Sequence, residues 1–155
     1  MDAKRRTELL HKYRTGPQAV VDSLANLRDE ELDRSQEDDE WTPRQIVHHI
    51  ADSEMTSAIR LRKLVAEDNP TIEAYDEKVF ANSLTRDRPI EPSLQAVRWA
   101  RESTVQILDR LTDDEWHKAG THTELGPYSV EKWLEVYAAH CHDHAAQIKR
   151  ARGIA

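Results

Sequence analysis

Tyr137-Ala138-Ala139-His140-Cys141-His142-Asp143-His144-Ala145-Ala146-Gln147-Ile148 is the stretch from which the rest of the chain can be read. Its apolar positions continue a stripe of Val130, Leu134, Tyr137, Cys141, His144 and Ile148, which has helical rather than strand spacing. A second line, Trp133, Tyr137, His140, His144 and Gln147, runs beside the first. His140 and His144 then lie one turn apart on one face, ~5–6 Å between Cβ atoms. At that spacing two imidazoles reach one metal ion, each nitrogen at about 2.0–2.1 Å. His142 points elsewhere. Cys141 is rotated about 100° from His140 and is expected to fill core. Two histidines do not close a site, so a third ligand is sought elsewhere.

Working outward, Ser129 is placed to cap this last helix, Tyr128 and Trp133 stand in staple positions, and Gly153 ends it. A second strong helix start is Trp41-Thr42-Pro43-Arg44-Gln45-Ile46: Thr42 as cap, Pro43 in the first turn, Gln45 completing a capping box, Trp41 and Ile46 as staple. This helix is expected to reach about Ala66, with Ile46, Ile50, Ser53, Ser57, Leu61 and Leu64 inward and His49 beside that stripe. Glu54 and Asp143 are expected to be solvated.

The remaining segments follow the same pattern. A first helical region, about Ala3 to Leu27, is expected to break at Gly16-Pro17, because proline disfavours a helix interior. Arg28 to Glu40 reads as a polar connection with one short turn near Glu30-Glu31-Leu32. Glu67 to Ile90 is a long connection holding a short helix around Tyr75–Phe80. A third long helix is expected over Ser93–Leu111, with Leu94, Val97, Val105, Leu108 and Leu111 inward. Thr112-Asp113-Asp114-Glu115 is another capping box, and His117 to Pro127 is expected to be loop. No convincing period-2 strand is present. The two halves echo each other as helix, short turn, aromatic-plus-cap and histidine-bearing helix. An all-α four-helix bundle in one domain over 1–155 is predicted, with short extra helices in its connections.

Composition agrees. Of 155 residues 38% are hydrophobic and 33% charged, and four glycines and six prolines leave long uninterrupted periods. The net charge of −7 with interspersed signs argues against a nucleic-acid surface. No apolar run approaches the ~20 residues that span a bilayer, and no signal-peptide core opens the chain. A single cysteine cannot form an internal disulfide, in keeping with a cytoplasmic location.

Trp41-Thr42-Pro43-Arg44-Gln45-Ile46-Val47-His48-His49-Ile50-Ala51-Asp52-Ser53-Glu54 resembles the signature of the DinB-like superfamily, in which a Trp-Ser/Thr start precedes by eight residues a metal-ligating His followed by Leu or Ile. Counted from Trp41, that histidine is His49 and not His48. His140-x3-His144 followed by Gln147-Ile148 resembles the family's second motif. The segment from Ala66 to Glu77 is similar to the branch of bacillithiol S-transferases, earlier labelled metal-dependent hydrolases. The resemblance implies a four-helix bundle holding one divalent ion per chain on His49, His140 and His144, with zinc or nickel foremost and manganese or iron as alternatives. Three protein ligands leave room for substrate, as in catalytic sites. The implied function is transfer of a low-molecular-weight thiol to an electrophile through a metal-bound thiolate. The alternatives are hydrolysis by metal-bound hydroxide, or a non-catalytic metal-binding or interaction bundle. Asp52, one turn from His49, is a candidate to orient an imidazole from behind. Arg60 and Tyr75 are candidates for substrate binding. The resemblance also implies a homodimer, with Trp99 and Trp116 expected on outer helix faces.

Overall fold

The computed structural model describes residues 1–35 and 40–154. Helices α1 (Ala3–Ser23), α2 (Pro43–Ala66), α4 (Glu91–Leu108) and α6 (Val130–Ala151) form the bundle. Packing is closest between α1 and α6 and between α2 and α4; the ring closes through α2–α6 and α1–α4. Short helices α3 (Glu77–Leu84) and α5 (Asp113–Trp116) and a three-stranded sheet occupy the connections. No helix among the described residues is long and apolar enough to cross a membrane.

Local chemistry sets most boundaries. Thr42 accepts from Gln45 N while Gln45 Oε1 accepts from Thr42 N, the reciprocal capping box expected at the start of α2. Trp41 and Ile46 share one apolar cluster. Thr112–Glu115 repeats the device at α5, and Ser129 caps α6 by accepting from Lys132 N. The polar connection holds a 3₁₀ turn at Asp29–Glu31, and its stretch 36–39 lies outside the described residues.

Four expectations are corrected. α1 does not break at Gly16-Pro17 and is one continuous helix ending at Ser23. Proline leaves the Tyr13 carbonyl without its helical N–H, and Arg101 Nη1 donates to it instead at 2.5 Å. A side-chain carbon on Gly16 would stand 2.5 Å from that same Nη1, so glycine is what lets the guanidinium in. The loop expected over His117–Pro127 contains a hairpin: β2 (Ala119–His122) pairs antiparallel with β3 (Gly126–Ser129), and β1 (Thr71–Ile72) adds parallel to β2. These strands are too short to show a period, and Gly120 passes so close to Pro70 that a Cβ would collide with its carbonyl oxygen. Glu54 is not solvated but fully buried, and Trp116 is 2% exposed beneath the Arg6 guanidinium rather than on an outer face. Trp99 does face outward, 58% exposed.

The interior is layered. At one end Leu9, Tyr13, Leu61, Leu64, Leu108, Trp133 and Leu134 pack with Ile72 and Tyr128 of the sheet. At the other Val20, Ile46, Ile50, Val97, Cys141, Ala145 and Ile148 do so. Between them lies a polar belt of Glu54, Ser57, Arg101 and Thr104, all buried. Gly16→Ala is expected to destabilise the fold by about 1–3 kcal/mol, the cost of overpacking a filled interior. A urea melt of this variant with an unchanged midpoint would show that the contact yields freely.

Candidate metal centre

α2 presents His49 less than two turns from its start, and α6 presents His140 and His144 one turn apart. Each of the three offers a ring nitrogen lying within 4.8 Å of those of the other two. His49 Nε2 and His144 Nε2 are 3.1 Å apart, and the ring centroids are separated by 4.6 to 5.5 Å. Trp41 closes the His49 side with its ring 4.9 Å away, and Tyr137 stands edge-on to His140 at 5.6 Å.

The outer nitrogens decide which inner nitrogens carry free lone pairs. His140 Nδ1 lies 3.1 Å from Glu54 Oε1, and His144 Nδ1 lies 2.7 Å from Gln147 Oε1. Burial by itself would raise the Glu54 carboxyl, but Arg101 together with the hydrogen bonds from His140 and Arg101 brings it below its ordinary value. Both oxygens are therefore acceptors, both Nδ1 atoms donate, and both Nε2 atoms are left bare. Gln147 is in turn held by Glu40, 3.1 Å away. Burial, then the neighbouring His144 and His140, pushes the His49 imidazole down to about 3. Burial and His140 push His144 down to about 4. These two neutral rings bring their Nε2 atoms within 3.1 Å of each other, a pair that either shares a proton or holds a cation. Nitrogens bound tetrahedrally to one ion at about 2.0–2.1 Å stand roughly 3.3–3.4 Å apart, close to the His49–His144 separation. His49 Nδ1 is buried without a partner among the described residues.

The other histidines are employed elsewhere. His48 bonds Ser93 Oγ at 2.7 Å and the Arg88 carbonyl at 3.2 Å, tying α2 to the segment before α4. His142 reaches the Lys12 carbonyl on α1. Glu54, His140 and Cys141 also converge, but Arg101 Nη2 already donates to Glu54 Oε1 at 2.6 Å, and a second cation there would meet the guanidinium charge. Cys141 is fully buried and burial pushes its thiol up, so it fills core as expected and is no nucleophile.

Asp52 makes no hydrogen bond to an imidazole; its Oδ2 is buried without a partner among the described residues, and burial raises its carboxyl. The outer partners are Glu54 and Gln147 instead. Gln147 stands in the quoted C-terminal motif. Glu54 carried a subtler signal, since 50, 54, 57 and 61 on α2 and 97, 101, 104 and 108 on α4 each run at helical spacing. An acid and a base embedded in two apolar stripes call for each other. Arg60 donates to Tyr137 Oη at 3.1 Å and to the Glu73 carbonyl at 2.5 Å, and its guanidinium lies 5.8 Å from the Tyr75 ring. Among the described residues it forms no ion pair with a carboxylate.

A sequence profile described as the DinB superfamily matches residues 12–148. The chain belongs to the DinB superfamily. Two Oceanobacillus iheyensis members with the provisional name metal-dependent hydrolase are 33% and 31% identical, over 91% and 93% of this chain and 82% and 83% of their own. YfiT from Bacillus subtilis, described as a probable metal-dependent hydrolase with an unusual four-helix bundle topology, superposes with a TM-score of 0.90. It is 27% identical, over 100% of this chain and 91% of its own. This DinB-superfamily chain shares that bundle, and with it the facing of α2 and α6 that brings the three histidines together.

The histidine shifts have a consequence for stability. Above about pH 6.5 neither the folded nor the unfolded chain protonates these rings; as pH falls the unfolded chain takes up the protons first. The metal-free fold is expected to lose stability progressively between about pH 6.5 and pH 3. Its urea midpoint should be lower at pH 5 than at pH 7.5, with a shallower decline in His49→Leu. Identical declines in the two proteins would contradict the buried, neutral state of His49.

Proposed function

We propose that His49, His140 and His144 hold one divalent ion, zinc or nickel foremost with manganese or iron as alternatives, and that the site transfers a small thiol to an electrophile. The observation that carries this is the convergence of three imidazole nitrogens, with no carboxylate in the same cluster among the described residues. Among the described residues, the carboxylate that reaches an imidazole of the cluster, Glu54, is already held by Arg101. A divalent cation bound there would lower the pKa of a coordinated thiol or water. A thiol starts near ~8.5 and water near ~15.7, so the thiol needs far less help from a base. His49 and His144, neutral near pH 7, bring no charge of their own to the site, which favours keeping an anionic sulfur on the cation.

On the Tyr137 side, Arg60 is a cation without a carboxylate partner among the described residues. It is suited to an acidic group on the substrate, and Tyr75 beneath it forms part of the same wall. The names of the relatives favour a second reading, hydrolysis at the same centre. A non-catalytic metal-binding bundle is the outcome if neither activity is found.

The protein is expected to purify with, or take up, one equivalent of divalent metal. His140→Ala should lose most of that occupancy, whereas His48→Ala and His142→Ala should keep it. Full metal content in His140→Ala, measured by elemental analysis, would overturn the ligand assignment. A panel of small thiols with an electrophilic probe, run beside ester and amide substrates with and without chelator, separates transfer from hydrolysis. Chelator-sensitive product from the thiols is the expected result; chelator-sensitive hydrolysis alone would replace the first reading by the second.

The outward-facing Trp99 supports assembly as a homodimer. Sedimentation at micromolar concentration is expected to give twice the chain mass of 17.9 kDa, and a monomer mass would count against it.

A further inference from the structure

We infer that Glu54, locked in place by Arg101, is a positioning residue that holds His140 with its Nε2 turned toward His49 and His144. The inference rests on the three-histidine metal reading and adds to it a device made from all four long helices. Glu54 belongs to α2, five residues after His49, so one helix supplies both a ligand and the holder of a ligand on α6. A single oxygen, Oε1, receives Arg101 Nη2 at 2.6 Å, His140 Nδ1 at 3.1 Å and the Cys141 thiol at 3.7 Å. Arg101 cannot swing away, because its Nη1 also donates to the Tyr13 carbonyl of α1 at 2.5 Å and its Nη2 to the Tyr137 carbonyl of α6 at 2.8 Å. The Tyr13 acceptor exists because Pro17 has no N–H, and Gly16 leaves the space the guanidinium fills. The carboxylate oxygen is thereby fixed from three helices before it meets the imidazole.

Stability is a poor reason for this arrangement. Two buried charges each give up their hydration, and an apolar pair of the same volume is often as stable or more so. What an apolar pair cannot supply is an acceptor for His140 Nδ1. With that acceptor the ring has one tautomer and one orientation; without it, either nitrogen can face the site. Carboxylates behind metal-bound histidines act in this way, and removing one typically weakens metal binding 10–100-fold.

Two conservative substitutions separate positioning from charge pairing. Glu54→Gln keeps an acceptor oxygen at the same reach but leaves Arg101 without its counter-charge. Glu54→Asp keeps the counter-charge but withdraws the oxygen from His140 by one methylene. Thermal melting should therefore rank E54D above E54Q. Co(II) affinity, measured by competition with a chromophoric chelator well below either midpoint, should rank the other way. E54Q should stay within a few-fold of wild type, and E54D should fall about 10–100-fold with a changed visible Co(II) spectrum. Affinities that follow the order of stabilities, or an E54D protein that binds Co(II) as tightly as wild type, would overturn the assignment.

Should a variant fail to fold, long-range proton–nitrogen NMR of the metal-free wild type decides the same point. His140 is expected as the Nδ1-protonated tautomer, and an Nε2-protonated ring would overturn the inference. Wild-type protein that takes up no Co(II) at all would instead remove the metal reading on which this one stands.

Discussion

The contact between Glu54 and Arg101 is the constraint around which this bundle is arranged. It brings a carboxylate from α2 and a guanidinium from α4 into the interior, where neither can be left without partners. The surrounding sequence meets much of that demand, with Glu54 Oε2 and Arg101 Nε left without a hydrogen-bond partner among the described residues. Pro17 withholds an amide so that a carbonyl of α1 is free, Gly16 withholds a side chain so that the guanidinium can reach it, and Tyr137 offers a carbonyl from α6. Choices that look like defects in a helix taken alone become the acceptors and the space for a charge on another helix.

The pair also divides the core. Apolar clusters lie at either end of the bundle, and the belt between them carries Ser57, Thr104 and the indole of Trp133, whose Nε1 donates to the Ser57 carbonyl at 2.9 Å. Directional bonds in this layer hold the helices in register, a task that interchangeable apolar contacts do less well. The three histidines stand at the edge of the belt. They are buried enough for His49 and His144 to lose their charge, yet His140 remains 13% exposed, so the site opens to one side.

That placement sets the chemistry available. His49 and His144 present neutral, electron-rich rings. The Glu54 carboxylate is occupied by Arg101, the neighbouring thiol is sealed in the core, and Arg60, without a carboxylate partner among the described residues, lies on the Tyr137 side. On the proposed reading, such a site would hold a cation and leave the substrate to bring the reactive group. Two features would separate the proposed centre from a structural metal knot: three candidate ligands in the cluster among the described residues rather than four, and Tyr137 linking the His140 wall to Arg60.

Much of this was written in the sequence, because capping and periodicity are local. Thr42 with Gln45, Thr112 with Glu115 and Ser129 marked helix starts, and the spacing of His140 and His144 placed both on one face of α6. The choice of His49 over His48 rested on a motif, and the structure gives a physical counterpart: His48 is engaged by Ser93 of α4 and the Arg88 carbonyl, while His49 meets His140 and His144 of α6. What the sequence could not decide depends on partners distant along the chain. Gly16-Pro17 reads as a break until Arg101, far along the chain on α4, is seen to replace the missing bond. Glu54 reads as a solvated acid until α4 and α6 close over it, and the hairpin shows no alternation because strands of four residues are specified by their pairing. Local signals determine where helices begin and which way they face. Only the packed bundle determines which charges are buried together and which atoms they hold in place, because burial and pairing are properties of several segments at once.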